Sequence, residues 1–226
     1  MIVETAAVAS FFKNGYVVGC ERTREAVLID PGDEVDQLLA VIAKQQLQTR
    51  AILLTHAHVD HVSGVAEAKR ALGVPIYLHR DDLFLYDRAV SHGQLFGMTV
   101  EQPPPVDVFY SGTDPFTFGD YQVVVHHTPG HCPGGVCLQI GKVGQSGKDL
   151  FVGDTLFAGS IGRTDLPGGN YDTLLRSITS VLYQFGDDAT VYSGHGPVTT
   201  IGKERRSNPF LLEWERQQDE PGRRGD

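Results

Sequence analysis

Three of the nine histidines fall within six positions, in Thr55-His56-Ala57-His58-Val59-Asp60-His61. Imidazole nitrogen and carboxylate oxygen are the donors that zinc, iron and manganese accept, and a zinc ion commonly takes three or four of them. Packed this closely without a cation, two histidines, an aspartate and a third histidine would leave donors and charges poorly satisfied. His56 and His58, two apart, can point the same way from an extended or tightly turned segment and grip one ion; Asp60 and His61 then face elsewhere and can grip another. The segment reads as a metal site, and a two-ion site needs further ligands from distant parts of the chain.

Three such donors stand out. His131 lies in Thr128-Pro129-Gly130-His131, Asp154 in Gly153-Asp154-Thr155, and His195 in Ser193-Gly194-His195-Gly196-Pro197. Each follows an apolar run and sits in a glycine-containing turn, an arrangement that delivers side chains from separate strands to one rim. His79, His92, His126 and His127 have no comparable surroundings. Asp30, at the end of AVLID and before Pro31-Gly32-Asp33, suits two uses: accepting a hydrogen bond from a ligating imidazole, or capping a helix N-terminus. Cys132 and Cys137, after the TPGH turn, read as buried, inert thiols rather than nucleophiles.

The elements that must hold these groups are mixed along the chain. Runs at Tyr16–Val18, Ala26–Ile29, Ala51–Leu54, Val74–Leu78, Phe116–Val125, Val136–Ile140, Leu150–Val152 and Thr190–Tyr192 have the length and β-branched content of strands. Val35, Leu38, Leu39 and Ile42 recur at helical spacing, as do Val65, Lys69 and Leu72, and Leu174, Leu175, Ile178 and Leu182. YVVGC followed by AVLIDPG and GVCLQI followed by DLFVGDT form a short internal parallel, which fits either two similar halves with stacked sheets or coincidence. The expected organisation is a single domain over residues 1–212 and a frayed polar tail from Glu213 to Asp226, with Gln102–Pro105 as a stiff surface connection before the second half.

Composition narrows the function. With 19 Lys and Arg against 28 Asp and Glu, the formal charge of −9 repels phosphate backbones and disfavours a nucleic-acid partner. The three cysteines form neither a CxxC pair nor an even disulfide set, which suits a reducing compartment. No basic-then-apolar leader and no run of about 18 apolar residues is present, so a soluble cytoplasmic protein without a membrane partner, monomer or homodimer, is expected.

Together, THAHVDH, TPGHCPGG, GDTLF and SGHGP resemble the metallo-β-lactamase-fold hydrolases. GDTLFAGSIGRTDLPGGN with GHGPVTTIGKERRSNPF is similar to their short, bacterial glyoxalase II-like branch, and the likeness runs from about Val17 to Phe210. The resemblance implies an α/β fold of four layers, αβ/βα, two mixed sheets stacked with helices outside. By motif it implies that His56, His58 and His131 hold a first divalent ion, Asp60, His61 and His195 a second, and Asp154 both, with zinc expected first and iron or manganese suiting the same donors.

Two cations sharing a water lower its pKa from about 15.7 towards neutrality and polarise a carbonyl under attack, with Asp60 serving as ligand and orienting the hydroxide. A thiolate leaves readily without a general acid, so a thioester is the preferred substrate. The family likeness implies S-2-hydroxyacylglutathione, such as S-lactoylglutathione, giving glutathione and a hydroxy acid.

The resemblance thins at substrate recognition. Glyoxalase II proper carries a C-terminal helical domain, and only 31 residues follow His195 here. Arg163 takes the place of a lysine that grips glutathione's glycine carboxylate, while Asp165 and Pro197 take places held by tyrosines. Arg163 suits that contact or an ion pair with Asp165, and Lys203, Arg205 and Arg206 suit an anionic ligand or a solvated helix face. The rival within the fold is a glutathione persulfide dioxygenase with a single iron on His56, His131 and Asp154. A nuclease of the superfamily would need an inserted domain for which the chain has no room.

Overall fold

The computed structural model describes residues 1–7, 12–111 and 115–219, and in it the alternation of the apolar runs sorts side chains onto opposite faces of two sheets. The first sheet takes β1 (Ile2–Ala7), β2 (Asn14–Gly19), β3 (Glu25–Ile29), β4 (Gln48–Leu53), β5 (Ile76–Leu78) and β6 (Val108–Phe109) in that order. The second contains β7 (Phe116–Phe118), β8 (Tyr121–His127), β9 (Val136–Lys142) and β10 (Asp149–Gly153). A small ribbon, β11 (Leu156–Phe157) with β12 (Ser160–Ile161), follows, and β13 (Thr190–Ser193) and β14 (Thr199–Thr200) extend the second sheet beyond β10.

Along β2 and β3, Tyr16, Val18, Val27 and Ile29 enter the space between the sheets, where they meet Val123, Leu138, Ile140 and Phe151. Val17, Ala26 and Leu28 face the other way, under α1 (Val35–Lys44) and α3 (Val65–Leu72). On the far side, Leu150, Val152 and Val191 pack beneath Leu174, Leu175 and Ile178 of α6 (Tyr171–Ser180). The result is helix, sheet, sheet, helix, the four-layer α/β architecture. Short helices α2 (Val59–Val62), α4 (Leu83–Tyr86) and α5 (Ala89–Leu95) fill one end of the first half; α7 (Ile201–Ser207) and α8 (Pro209–Asp219) close the chain over the second sheet.

Both sheets repeat one sequence of moves. An antiparallel pair (β2/β3; β9/β10) is followed by a helix (α1; α6) and a strand parallel to its second member (β4; β13). Parallel neighbours end on the same side, and β8, antiparallel to β9, ends on the side where β10 does. Four loops bearing candidate ligands leave from these ends.

The structure differs from expectation in several places. The run Phe116–Val125 is a hairpin, because Gly119, at φ +55°, turns the chain between β7 and β8. Gln102–Pro105 leads into β6 of the first sheet rather than into the second half, and the Tyr86 hydroxyl donates to the Pro104 carbonyl at 2.8 Å. The expected tail is corrected as well: residues 213–219 are the last turns of α8, anchored because Trp214 is buried with Leu211 against the second-sheet core. The boundary at 212/213 therefore falls inside a helix, and residues 220–226 lie outside the described ones. Among the described residues, no helix is long and apolar enough to cross a membrane.

Candidate metal centre

After β4 the chain runs through Thr55 into His56 and His58, then turns into α2, which carries Asp60 and His61. His131 follows β8, Asp154 follows β10 and His195 follows β13. The ligating atoms of His56, His58 and His131 lie within 4.8 Å of one another, and so do those of Asp60, His61 and His195. In the first trio His58 Nδ1 is 2.7 Å from His131 Nε2; in the second His195 Nε2 is 3.1 Å from Asp60 Oδ2. Asp154 stands between them, with Oδ1 3.3 Å from His61 Nε2 and Oδ2 3.7 and 3.5 Å from Nε2 of His131 and His195. Close approach of the loops needs glycine: a Cβ on Gly194 would lie 2.2 Å from Asp154 Oδ1 and 2.6 Å from His61 Cε1.

Nε2 of His56, His58 and His61 and Oδ1 of Asp154 are buried without a hydrogen-bond partner. An orphaned buried polar atom costs about 1–3 kcal/mol. A concentration of them among imidazoles and a carboxylate fits divalent cations, which accept these donors together.

The two trios differ electrostatically. Burial pushes His56 well below the ordinary imidazole range, with His61 and His131 adding to the effect, and burial with His131 takes His58 down to about 3. Burial also opposes the charge on His61, yet Asp154 and Asp60 outweigh it and lift His61 to about 9; likewise His195 rises to about 10 through its bonds to Asp154 and Asp60. Despite burial, His61 and His195 hold Asp60 down to about 2, and His61 leads in holding Asp154 well below the carboxylate range. The two carboxylates thus favour positive charge at His61 and His195.

Behind the ligands lies a supporting set. Asp30 accepts from Thr55 N at 2.7 Å and Thr55 Oγ1 at 2.5 Å, and its Oδ2 is 3.0 Å from His61 Nδ1. Helix α1 instead has Glu34 at its N-cap, so of the two uses open to Asp30 the structure displays the bond to an imidazole. Asp30 itself has φ 47°, in the left-handed region, and its carbonyl is held by the ammonium of buried Lys13, which pairs with buried Glu34. His131 Nδ1 donates to the Arg163 carbonyl at 2.7 Å.

Asp82 ties two ligand loops together, accepting from Ala57 N at 3.0 Å, Cys132 Sγ at 3.1 Å and Gly134 N at 2.6 Å. Of these supports, sequence reading found only Asp30; Arg163 was read for its side chain, as a substrate contact or a partner of Asp165, and not for its carbonyl. Thr55, next to the histidine run, carried a usable signal; Lys13, Glu34 and Asp82 looked like ordinary surface charges.

The remaining candidates fall away from the centre or change role. The Arg163 side chain is gripped by Asp165 through Nε and Nη2, both at 2.7 Å. Arg205 and Arg206 pair with Asp187 at 3.2 and 2.9 Å, and Arg205 lies over the Tyr183 ring; with Lys203 they are absent from the lining of the central cavity. The thiols of Cys132 and Cys137 are buried and pushed up by that burial, against a nucleophilic role. His79, Asp81 and His127 form another close trio, but the two rings stack at 4.3 Å and 10°, so their in-plane lone pairs run side by side instead of converging. A cavity of about 320 Å³ opens directly above His58, Asp60, His131, Asp154 and His195.

A family model described as the metallo-β-lactamase superfamily matches residues 10–195, spanning all seven candidate ligands. The chain belongs to the metallo-β-lactamase superfamily. Among curated superfamily members, it is 37% identical over 213 residues to hydroxyacylglutathione hydrolase GloC of Haemophilus influenzae, covering 93% of this chain and 98% of that one. Among solved structures, it is similar to BLEG-1 B3 metallo-β-lactamase (TM-score 0.83, 37% identity, 93% of this chain and 99% of that one). It is also similar to TTHA1623 in a di-iron-bound form (TM-score 0.80, 41% identity, 92% of this chain and 100% of that one). The metallo-β-lactamase fold and its His/Asp clusters make this chain a metallohydrolase.

Proposed function

We propose that this metallohydrolase cleaves thioesters, with S-2-hydroxyacylglutathione such as S-lactoylglutathione as the first substrate to test. The observation that carries the reading is Asp154, within 3.7 Å of histidines from both trios and so placed to serve two cations at once. His56, His58 and His131 would hold one divalent ion, Asp60, His61 and His195 the other, and zinc is the expected occupant, with iron or manganese suiting the same donors. Bound there, such ions supply Lewis acidity, making a water more acidic and a carbonyl more electrophilic.

This chain's own groups do the positioning. Asp30 and the Arg163 carbonyl fix the rings of His61 and His131, the usual work of outer partners on ligating imidazoles. Asp60, which lines the cavity, orients the attacking water by accepting its hydrogen bond. The departing thiolate needs no proton donor. A carboxylate of glutathione can meet the remaining donors of Arg163, on Nη1, or take the bidentate position by displacing Asp165. The 37% identity to a hydroxyacylglutathione hydrolase supports the substrate class.

The test is metal content and thiol release on one purified sample: about two metal ions per chain, free thiol from S-lactoylglutathione, and loss of that release in His58→Ala with the fold intact. A second reading is a single-iron glutathione persulfide dioxygenase using His56, His131 and Asp154; the di-iron form of a relative 41% identical supports iron as the metal, not a count of one. About one iron per chain, with oxygen consumed on adding glutathione persulfide and no thioester cleaved, would overturn the hydrolase in its favour.

A further inference from the structure

The cavity above the candidate ligands is walled by carbon. Val59, Leu85, Leu95, Phe96, Leu166 and Pro167 line it, and among the described residues that line it outside the ligand set the sole permanent charge is on Arg163, His92 being the one other polar side chain. That charge is engaged: Asp165 occupies two donors of the guanidinium with the bidentate geometry a substrate carboxylate would need. Leu95 and Phe96, at the end of α5, are 80% and 50% exposed, and Gly97 at φ +71° stops the helix immediately after them. Large apolar side chains left to water next to a reactive centre mark a surface that something else covers. Helix α5 also packs on α2, which carries Asp60 and His61, so this wall is joined to the candidate ligands.

Glutathione brings two carboxylates and an ammonium. Drawing them into this cavity would desolvate charges with one already-paired arginine to meet them, a cost that apolar walls cannot offset. A volume of about 320 Å³ lies at the small end of ligand pockets. We infer that the cavity takes an uncharged, apolar substituent of the thioester, aliphatic or aromatic, with any charged peptide portion left at the mouth, and that Leu95 and Phe96 determine this preference. The inference rests on the thioesterase reading for its reaction and on the cavity lining for its selectivity. The apolar group belongs to the acyl side or to the thiol side of the ester, and the experiment separates the two.

Binding is measured first, without turnover. S-methyl-, S-butyl-, S-hexyl- and S-benzylglutathione, which cannot be hydrolysed, are titrated into the metal-loaded full chain by calorimetry. Affinity is expected to rise about three- to fourfold per buried methylene. Turnover follows in two arms: glutathione thioesters from acetyl to hexanoyl, and acetyl thioesters of ethanethiol to hexanethiol. A rise of kcat/KM along one arm shows which side enters.

In Leu95→Asp and Phe96→Ser, both exposed positions, the ratio of long-chain to short-chain kcat/KM is expected to fall about tenfold, with circular dichroism unchanged. Flat affinity across the alkyl series, or an unaltered ratio in both variants, overturns the inference even if thioesters are hydrolysed. Rising affinity with no thioester cleaved leaves the cavity assignment standing and sinks the hydrolase reading.

Discussion

The trio His56, His58 and His131 is all imidazole and buried, whereas the trio Asp60, His61 and His195 mixes one carboxylate with two imidazoles and opens to the cavity, its Asp60 and His195 side chains 17% and 27% exposed. Without a cation, burial pushes His56 and His58 of the first below the ordinary imidazole range, whereas in the second Asp60 is held down and His195 raised by their mutual attraction. One fold thus brings together two unlike donor trios a few ångströms apart by choosing which strand end supplies the third donor: β8 for the first and β13 for the second. The more enclosed trio is suited to retention and the more open one to exchange, while both reach the cavity, His58 and His131 from the first and Asp60 and His195 from the second.

The change that removes the contrast should have the largest effect. Asp154→Ala deletes the carboxylate between the trios, and both metal content and thioester cleavage are expected to collapse, the latter by about a thousandfold or more, read by elemental analysis and thiol release. His195→Ala should separate the two positions instead: one ion per chain lost, one kept, and activity down about a hundredfold. Loss of both ions in that variant would show that the positions are not independent.

Asp30→Asn acts one step further out, on the ring of His61. Affinity at the open position should fall about 10–100-fold, with the enclosed position less affected, as followed by competitive titration with a chromophoric chelator. The smallest expected effect sharpens the contrast kinetically: dipicolinate added to the loaded protein should withdraw one ion per chain in a fast phase and the other in a slow one, and a single phase would remove the distinction.

How much of this was legible beforehand follows from what kind of group carries each role. All seven candidate ligands are side chains in short motifs at strand ends, and residue type and spacing are visible in any sequence. The His131 partner is a main-chain carbonyl, Arg163 O, which no residue type announces. Lys13, Glu34 and Asp82 have their roles only because folding buries them, and a charged residue read singly looks like surface.

The long strands were legible from their apolar patterning and the four-layer order from the family resemblance, but β6, β11, β12 and β14 are two-residue pairings with too little pattern to detect. The end of α8 was missed for a related reason: from Glu213 to Asp219, Trp214 is the one apolar residue in a polar stretch, and it anchors the helix beside Leu211.

The chemistry-bearing turns leave from different sheets: His56 to His61 follow β4 in one, while His131, Asp154 and His195 follow β8, β10 and β13 in the other. Any ion held by either trio is therefore a stitch across the seam of the sandwich. Peeling the halves apart would first require unfastening it, so resistance to heat should track the supply of free metal, and a cell short of that metal would face a looser protein as well as an idle one.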